Sequence, residues 1–244
     1  MHSEQLIGHL QNGSIRGLIF DFDGTLLDIA ESLRNSIKEV FEENKIVSDM
    51  ETTIQEIGAL METIQGYPLP KIILQSYDMF KYISSLNSLT FMKKIQIAAL
   101  IFSRYLTLAK EAPIFPNADK YLRKLHKSYD LYIVSHNQTK NIIAHLEKHD
   151  LMNLFKGIYG ADLLPALKPD PNALKPVFDR YKSVKLKEFV MIGDMPSDIM
   201  AGVEAGVWTI ALTTGVSNRN ILSEQGASLV LDSLSELLQI TEKK

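Results

Sequence analysis

The sequence predicts an α/β protein in which an all-helical unit is inserted into a doubly wound parallel sheet. From residue 113 onwards, short apolar runs without polar alternation are separated by helical patterns, as in parallel strands covered on both faces. Between residues 28 and 112, apolar residues instead recur at helical spacing. We therefore expect an α/β core of residues 1–28 and 112–244, and a helical unit of residues 29–111.

The first strand of the core is predicted at residues 18–20, an apolar run that ends in Asp21, Asp23, Gly24 and Thr25. Two neighbouring carboxylates repel one another unless a cation, a shared proton or water compensates. The segment LIFDFDGTLLD is therefore either a solvated Asp-x-Asp turn or a functional site. It does not match an EF-hand calcium loop, because its glycine stands fourth rather than sixth.

The inserted unit is predicted to contain four or more amphipathic helices. Its apolar residues recur at intervals of three and four, with turn signals at residues 66–68 and around Asn87. Four rows of apolar residues carry this prediction: Leu33, Ile37, Val40 and Phe41; Ile54, Ile57, Met61 and Ile64; Ile73, Tyr77, Phe80 and Ile83; and Phe91, Ile95, Ala98, Phe102 and Leu106.

The remainder of the core is predicted to alternate strands with helices. Residues 1–13 are expected to form a short helix or a loose end. Pro176 is acceptable in a helix only if that helix begins near Asn172, where the first-turn N–H groups need no partner. The expected strands are 131–134, 157–159, 189–192, 208–212 and 229–231, and the expected helices are 139–149, 173–181, 197–205 and a closing helix.

Composition restricts the classes of partner. The net charge of −3 and the pI near 6.1 do not fit a nucleic-acid-binding surface, which needs clustered Lys and Arg. The chain has no cysteine, which excludes disulfides and thiolate metal sites and fits a reducing compartment. Its N-terminus lacks the pattern of a signal peptide, and residues 95–108 are too short and too polar to cross a membrane. We expect a cytoplasmic protein with no nucleic-acid or membrane partner.

Polar residues follow several predicted strands at their carboxyl ends, where doubly wound sheets bind ligands. A cluster of carboxylates beside a lysine and a serine suits a hard cation such as Mg²⁺ together with a phosphoryl group. An aspartate can attack phosphorus directly, and a second carboxylate with a raised pKa can act as acid and base. The residues concerned are Asp21, Asp23, Ser135, His136, Asn137, Lys168, Asp194 and Asp198.

These motifs together resemble the haloacid-dehalogenase-like (HAD) hydrolase superfamily in content, order and approximate spacing. They are DFDGT at 21–25, the strand-ending Ser135, Lys168 before Pro169, and GDMPSD at 193–198. The helical insert after the first motif is similar to the C1 cap of that superfamily, as in phosphoglycolate phosphatase and its relatives. The resemblance covers residues 15–235 and implies a HAD-like Rossmannoid core.

The resemblance implies a role for each matching position. It implies that Asp21 is the nucleophile, that Asp23 is the general acid and base, and that an aspartyl-phosphate forms on Asp21. It assigns Gly24, Thr25, Ser135 and Lys168 to substrate phosphate. It assigns Asp21, Asp23 through its carbonyl and Asp194 to Mg²⁺, with Asp198 assisting either as a direct ligand or through a group that binds the metal. The sequence departs from the family at His136, where Asn or Gly is usual; we interpret this histidine either as a further phosphate contact or as a helix-start residue.

The predicted function is hydrolysis of a small organic phosphomonoester, with phosphoglycolate as the default substrate. Two alternatives stay open. The first is a sugar phosphomutase, although Leu33 stands where such enzymes often carry a histidine. The second is a phosphate-binding or regulatory protein that has lost catalysis, although Asp21, Asp23, Lys168 and Asp194 are all present. The expected partner is a small phosphorylated molecule, and the expected oligomeric state is a monomer or a homodimer.

Overall fold

Six parallel strands form one sheet in the order β3-β2-β1-β4-β5-β6. The structure, a computed structural model, describes residues 2–64, 83–215 and 217–242, with the backbone alone for residues 58–64. The strands are β1 (Gly17–Phe20), β2 (Asp130–Val134), β3 (Phe155–Tyr159), β4 (Phe189–Gly193), β5 (Trp208–Leu212) and β6 (Leu229–Leu231). The predicted doubly wound parallel sheet is confirmed.

The strand order reverses at β1: the chain adds strands on one side of β1 up to β3 and then continues on the other side with β4. Sheets of this kind bind ligands at such a point. Phe20, the last residue of β1, is level with Ile133 of β2 on one side and with Ile192 of β4 on the other. The residues that follow these three strands consequently emerge at one edge of the sheet.

Helices and short 3-10 turns connect the strands of the core. Most bounds lie within a few residues of those expected from the sequence. In the described part of the chain, no helix combines the length and hydropathy that a membrane crossing requires. The core helices are His2–Gln11, Ala118–Leu125, Thr139–Lys148, Lys175–Phe178, Pro196–Glu204, Arg219–Glu224 and Leu234–Glu242, and the 3-10 turns are Met152–Leu154, Pro171–Leu174 and Leu186–Glu188.

The helix expected over residues 173–181 is wrong in its extent. The segment consists of the 3-10 turn Pro171–Leu174 and a single α-helical turn, Lys175–Phe178. Pro171 and Pro176 each lack a backbone N–H, so neither can extend a hydrogen-bonded helix in the N-terminal direction. Each proline therefore stands at the beginning of its own short element.

The strands read as apolar runs because both faces of the sheet are buried. All residues of β1, β4 and β5 are buried. Ile19, Tyr132 and Met191 pack with apolar residues of the Pro171–Leu174 turn in one cluster of the core. Burying a side chain of this size contributes about 1.5–3 kcal/mol each relative to exposure, so the sheet is a rigid platform for the loops at its edge.

The chain divides into two compact units, Met1–Asp28 with Ile114–Lys244 and Ile29–Pro113. In the first unit, Leu27 and Ile114 form an antiparallel bridge, so the two pieces of this unit meet where the second unit is inserted. The described residues of the second unit contain no strand. They form the helices Ala30–Glu43, Met50–Ile64 and Phe91–Ala109 and the 3-10 turn Ser84–Leu86. The predicted roles of the two units as catalytic core and cap stay predictions.

Three of the four predicted apolar rows of the second unit are buried as far as the structure describes them, the third row through Ile83 alone. Leu33, Ile37, Val40 and Phe41 are buried in the helix Ala30–Glu43. Ile54 and Ile57 are also buried, whereas the side chains of Met61 and Ile64, the residues Ile73, Tyr77 and Phe80, and the turn at 66–68 lie outside the described residues.

The helix predicted over this stretch is present as Phe91–Ala109, but the predicted row is not its buried face, since Ile95, Ala98 and Phe102 are only partly buried. The buried residues of this helix are Ile97, Ile101 and Tyr105, whereas Phe91 and Leu106 are 38% and 47% exposed. The helix carries apolar residues around much of its circumference, so periodicity alone does not select the buried face. The helix packs against the helix Ala30–Glu43, where the guanidinium of Arg104 also pairs with Glu39 and Glu43, so contacts with a distant part of the chain accompany the choice of buried face.

Candidate active site

The predicted strand-end residues lie together at the carboxyl edge of the sheet. Asp21 follows β1, Ser135 follows β2, and Asp194 follows β4. Carboxylate oxygens of Asp21, Asp194 and Asp198 all lie within 4.8 Å of one another, and the three residues are buried. Three carboxylates at this spacing repel one another strongly, so the cluster requires positive charge.

Lys168 supplies positive charge to two of these carboxylates. Its Nζ lies 2.7 Å from Oδ1 of Asp21 and 2.5 Å from Oδ1 of Asp198, and it donates to the carbonyl oxygen of Val134 at 3.0 Å. Burial by itself lowers the pKa of Lys168, but the charges of Asp198 and Asp21 outweigh burial and raise the pKa above its ordinary value. The lysine is therefore a permanent cation within the site.

Asp23 lies in a different environment from Asp21, although one residue separates them. Burial and the charge of Asp21 raise the pKa of Asp23 to about 7, against smaller opposing effects of Asn137 and Lys168. Asn137 Nδ2 lies 3.0 and 3.2 Å from the two carboxylate oxygens of Asp23. A carboxyl with a pKa near neutrality can both give and take a proton, which is the requirement for an acid–base group.

The raised pKa predicts that Asp23→Asn stabilises the metal-free protein at alkaline pH. Below pH 4 the Asp23 carboxyl is protonated in both the folded and the unfolded chain. The protonated carboxyl favours the folded chain, and this contribution to stability is lost as pH rises through about 7. The ionised carboxyl costs up to about 4 kcal/mol above that pH, because each pKa unit corresponds to about 1.4 kcal/mol. In urea unfolding with EDTA, we expect the variant to exceed the wild type by about 2–4 kcal/mol at pH 8, and by about 2 kcal/mol less at pH 5. An advantage independent of pH would contradict this prediction.

Gly24 and Thr25 contact Asp194 in the structure. The Thr25 hydroxyl donates to Oδ1 of Asp194 at 2.9 Å, and Thr25 is fully buried. Gly24 has a φ of +80°, and a Cβ atom at this position would overlap the Asp194 carboxylate. The turn after β1 thus orients a carboxylate that follows β4, while the predicted contact of both residues with substrate phosphate stays a prediction.

Ser135 and His136 are both buried at the end of β2. The Ser135 hydroxyl accepts a hydrogen bond from the backbone N–H of Asn137 at 3.2 Å. Burial, followed by the charge of Lys168, lowers the pKa of His136 to about 4, so this histidine is neutral at pH 7. Its Nε2 is buried and has no hydrogen-bond partner among the residues that the structure describes. A neutral imidazole provides no net charge to attract a phosphate.

Comparison with known proteins assigns the family. A family model described as haloacid dehalogenase-like hydrolase matches residues 18–212, which include the sheet as far as β5 and all of the site residues above. The chain belongs to this family. The resemblance inferred from the sequence motifs is thereby confirmed, and the protein is a hydrolase.

Individual known proteins are similar to this chain over nearly its whole length. Phosphoglycolate phosphatase of Vibrio parahaemolyticus serotype O3:K6 is 26% identical over 228 residues, covering 93% of this chain and 96% of that protein. Phosphoglycolate phosphatase of Vibrio cholerae serotype O1 is 25% identical over 236 residues, covering 93% and 97%. The solved structure of a Bacillus subtilis protein described as the HAD-hydrolase YfnB bound to magnesium matches with a TM-score of 0.67 at 20% identity, covering 93% and 99%, and shows the same fold.

Three residues of this haloacid dehalogenase-like site have contacts that the sequence did not predict. Asn137 contacts Asp23, as described above. Thr214 donates from Oγ1 to the carbonyl oxygen of Gly24 at 2.7 Å, and a Cβ at Gly215 would overlap the Asp194 carboxylate. Thr214 and Gly215 follow β5. The rule that ligands bind at the carboxyl ends of parallel strands therefore points to them as well.

The contact at Gly215 predicts that Gly215→Ala displaces Asp194. The added methyl group meets a buried carboxylate that is held by Thr25, so one of the two must shift. We expect kcat/KM to fall by about 10-fold or more, since misplaced site groups cost rates of this order. Gly8→Ala is the matched control, because a Cβ at Gly8 has nothing within 4 Å. A kcat/KM for Gly215→Ala equal to that of Gly8→Ala would contradict the prediction.

Proposed function

We propose that this haloacid dehalogenase-like phosphatase hydrolyses a small organic phosphomonoester with Mg²⁺ through an aspartyl-phosphate at Asp21. One observation carries the proposal: Asp21 is paired with the cationic Lys168, whereas Asp23 has its pKa raised to about 7. These different environments suit two different roles, with Asp21 as the nucleophile and Asp23 as the group that gives and takes a proton. The two Vibrio relatives named phosphoglycolate phosphatase support phosphoglycolate as the first substrate to test.

In the first step of the proposed reaction, an oxygen of Asp21 attacks phosphorus. A bond forms between this oxygen and phosphorus while the bond to the leaving alcohol breaks, and the proton of Asp23 passes to the leaving oxygen. Lys168 offsets the repulsion between the attacking carboxylate and the anionic phosphate, since its Nζ is already hydrogen-bonded to Asp21. In the second step, water attacks phosphorus while Asp23 takes a proton from it. The bond between phosphorus and the Asp21 oxygen breaks, which releases inorganic phosphate and regenerates the Asp21 carboxylate.

The acidic cluster fits a Mg²⁺ ion. Its donors are buried carboxylate oxygens at close spacing, which is the ligand type that this ion prefers. Asp21 and Asp194 would hold the ion, and Asp23 would contribute its carbonyl oxygen. When bound, the metal acts as a Lewis acid that stabilises negative charge on the phosphoryl oxygens. The Bacillus subtilis relative described as bound to magnesium supports this choice of metal.

Asp198 is proposed to orient other groups rather than to ligate the metal directly. Its Oδ1 accepts from Lys168, and its Oδ2 accepts from the backbone N–H of Met195 at 3.1 Å. Both oxygens therefore already have protein partners. These contacts link Lys168 to the first turn of the helix Pro196–Glu204, so Asp198 fixes the lysine beside Asp21.

The remaining predicted roles are contacts with the substrate phosphate and closure by the cap. Gly24, Thr25, Ser135 and neighbouring N–H groups are proposed to surround the phosphoryl oxygens. His136, being neutral, is proposed to contact the substrate only as a polar, uncharged group. The unit Ile29–Pro113 is proposed to act as a cap that excludes water and selects the organic part of the substrate. A cytoplasmic location and a monomeric or dimeric state stay predictions.

Phosphate release from a panel of small phosphomonoesters tests the proposed function. The panel contains phosphoglycolate, sugar phosphates and nucleoside monophosphates, each assayed with Mg²⁺ and with EDTA. We expect release that depends on Mg²⁺, with the best substrate defining the selectivity of the cap. Absence of release from every compound would overturn the hydrolase mechanism. Activation by a sugar bisphosphate would then support the mutase alternative, and phosphate-ester binding without turnover would support a regulatory protein.

A further inference from the structure

The side-chain amide of Asn137 is hydrogen-bonded on both sides. Its Nδ2 faces the Asp23 carboxylate at 3.0 and 3.2 Å. Its Oδ1 accepts from the backbone N–H of Gln138 at 2.8 Å and from Nδ2 of Asn141 at 3.0 Å. An amide oxygen has two lone pairs, and both are occupied by donors. The amide therefore cannot flip without losing these bonds, and its N–H groups must face Asp23.

The backbone of Asn137 is held as firmly as its side chain. Its N–H donates to the Ser135 hydroxyl at 3.2 Å, and its carbonyl oxygen accepts from the N–H of Ala161 at 2.9 Å. The first of these contacts comes from the end of β2, and the second comes from the loop that follows β3. Asn137 is consequently a fixed donor at the edge of the sheet, supported by two strand ends and by the helix Thr139–Lys148.

Asp23 needs such a donor because its terminal torsion is otherwise loosely defined. The torsion that rotates an aspartate carboxyl group has a broad, roughly two-fold distribution rather than three sharp minima. In the described part of the chain, Asn137 is the side chain that donates to this carboxyl. A carboxyl that transfers a proton must approach its partner within hydrogen-bond distance, so its orientation decides whether transfer is efficient.

We propose that Asn137 is a positioning residue that holds the Asp23 carboxyl in the orientation from which it protonates the leaving oxygen. The inference rests on the proposed function, in which Asp23 is the acid. Asn137 itself gains and loses no proton. The proton moves from Asp23 to the leaving oxygen as the bond between that oxygen and phosphorus breaks, and Asp23 later recovers a proton from the attacking water.

Substrates with different leaving groups can distinguish a positioning role of Asn137 from a merely structural one. An alkyl alcohol leaves poorly without a proton, whereas p-nitrophenolate is a stable anion and needs little assistance from an acid. The value of kcat/KM compares free enzyme and substrate with the transition state of the first irreversible step, in which the leaving group departs. A misoriented Asp23 should therefore lower kcat/KM much more for an alkyl phosphate than for p-nitrophenyl phosphate.

The test compares kcat/KM for these two substrates in the wild type and in variants. Asn137→Leu removes the donor with little change of volume, and Asn137→Asp keeps the acceptor oxygen but replaces the donor nitrogen. For both we expect a loss of about 100-fold with the best alkyl phosphate of the panel and less than about 10-fold with p-nitrophenyl phosphate, since general acid catalysis contributes at least about 100-fold. Asp23→Asn should show the same selective loss more strongly.

Two further variants complete the comparison. Asn141→Ala removes one of the two donors to Oδ1 of Asn137, and it should reproduce the selective loss to a smaller extent. Asn12→Ala is the matched control, because Asn12 accepts from the N–H of Ser14 in the turn before β1, at the opposite edge of the sheet. It should leave the ratio of the two kcat/KM values unchanged.

The outcomes distinguish failure of this inference from failure of the proposed function. Equal losses with both substrates in the Asn137 variants would overturn the positioning role. So would a selective loss in Asp23→Asn that the Asn137 variants do not share. If the wild type hydrolyses neither substrate, or if Asp23→Asn shows no selectivity, the proposed role of Asp23 fails and the inference fails with it.

Discussion

Asp21→Asn is expected to abolish phosphate release while leaving the fold intact. The amide keeps the shape of the side chain but removes the charge and the nucleophilic oxygen, so we expect kcat to fall by about 10⁴-fold or more, the scale of losing a covalent nucleophile. Lys168 keeps its contacts with Asp198 and with the carbonyl of Val134, so the lysine stays paired. The measurement is release of inorganic phosphate from the best substrate, together with thermal unfolding.

Asp150→Asn is the matched control for this prediction. Asp150 is exposed, has a φ of +53°, and pairs with Arg123 at 3.2 Å. Asparagine adopts this left-handed conformation readily, so the change should preserve both the fold and the activity. Residual activity of Asp21→Asn within about 10-fold of the wild type would show that Asp21 is not the nucleophile.

Lys168→Met is expected to impair stability and activity together. The variant leaves the buried carboxylates of Asp21 and Asp198 without the cation that contacts both. Breaking a buried charge pair on one side costs about 3–5 kcal/mol, and we expect a loss of this size in urea unfolding with EDTA at pH 7.5. Added Mg²⁺ should recover part of it, since ligands that bind the folded chain stabilise it. We expect kcat to fall by about 1,000-fold because the attacking carboxylate loses its compensating charge.

Lys156→Met separates the effect of burial from that of losing any lysine–aspartate pair. Lys156 lies 2.6 Å from Asp130, but its side chain is 51% exposed. Exposed pairs contribute about 0–1 kcal/mol, so this variant should lose little stability. If Lys168→Met were no less stable than Lys156→Met, the buried cation would not be compensating the acidic cluster.

The fold could be predicted from the sequence because its signals are local. The strands are buried on both faces, so residues 189–192 and 208–212 read as continuous apolar runs without reference to any partner. The candidate site followed from a general rule about the edge of such sheets, which brought Asp21, Ser135 and Asp194 to one place. The buried face of the helix Phe91–Ala109 could not be predicted, because apolar residues lie around much of the helix and its packing against the helix Ala30–Glu43 is not visible in the local pattern.

The sequence by itself determined which chemical groups meet: carboxylates and a serine at the ends of parallel strands and a lysine between turn residues, in an order typical of haloacid dehalogenase-like hydrolases. Only the tertiary structure decided how these groups divide their tasks. Lys168 pairs with Asp21 and Asp198, Thr25 binds Asp194, and Asn137 donates to Asp23. The physical reason is that charge compensation, desolvation and hydrogen-bond direction depend on distances between residues far apart in the chain, which no local pattern of residues encodes.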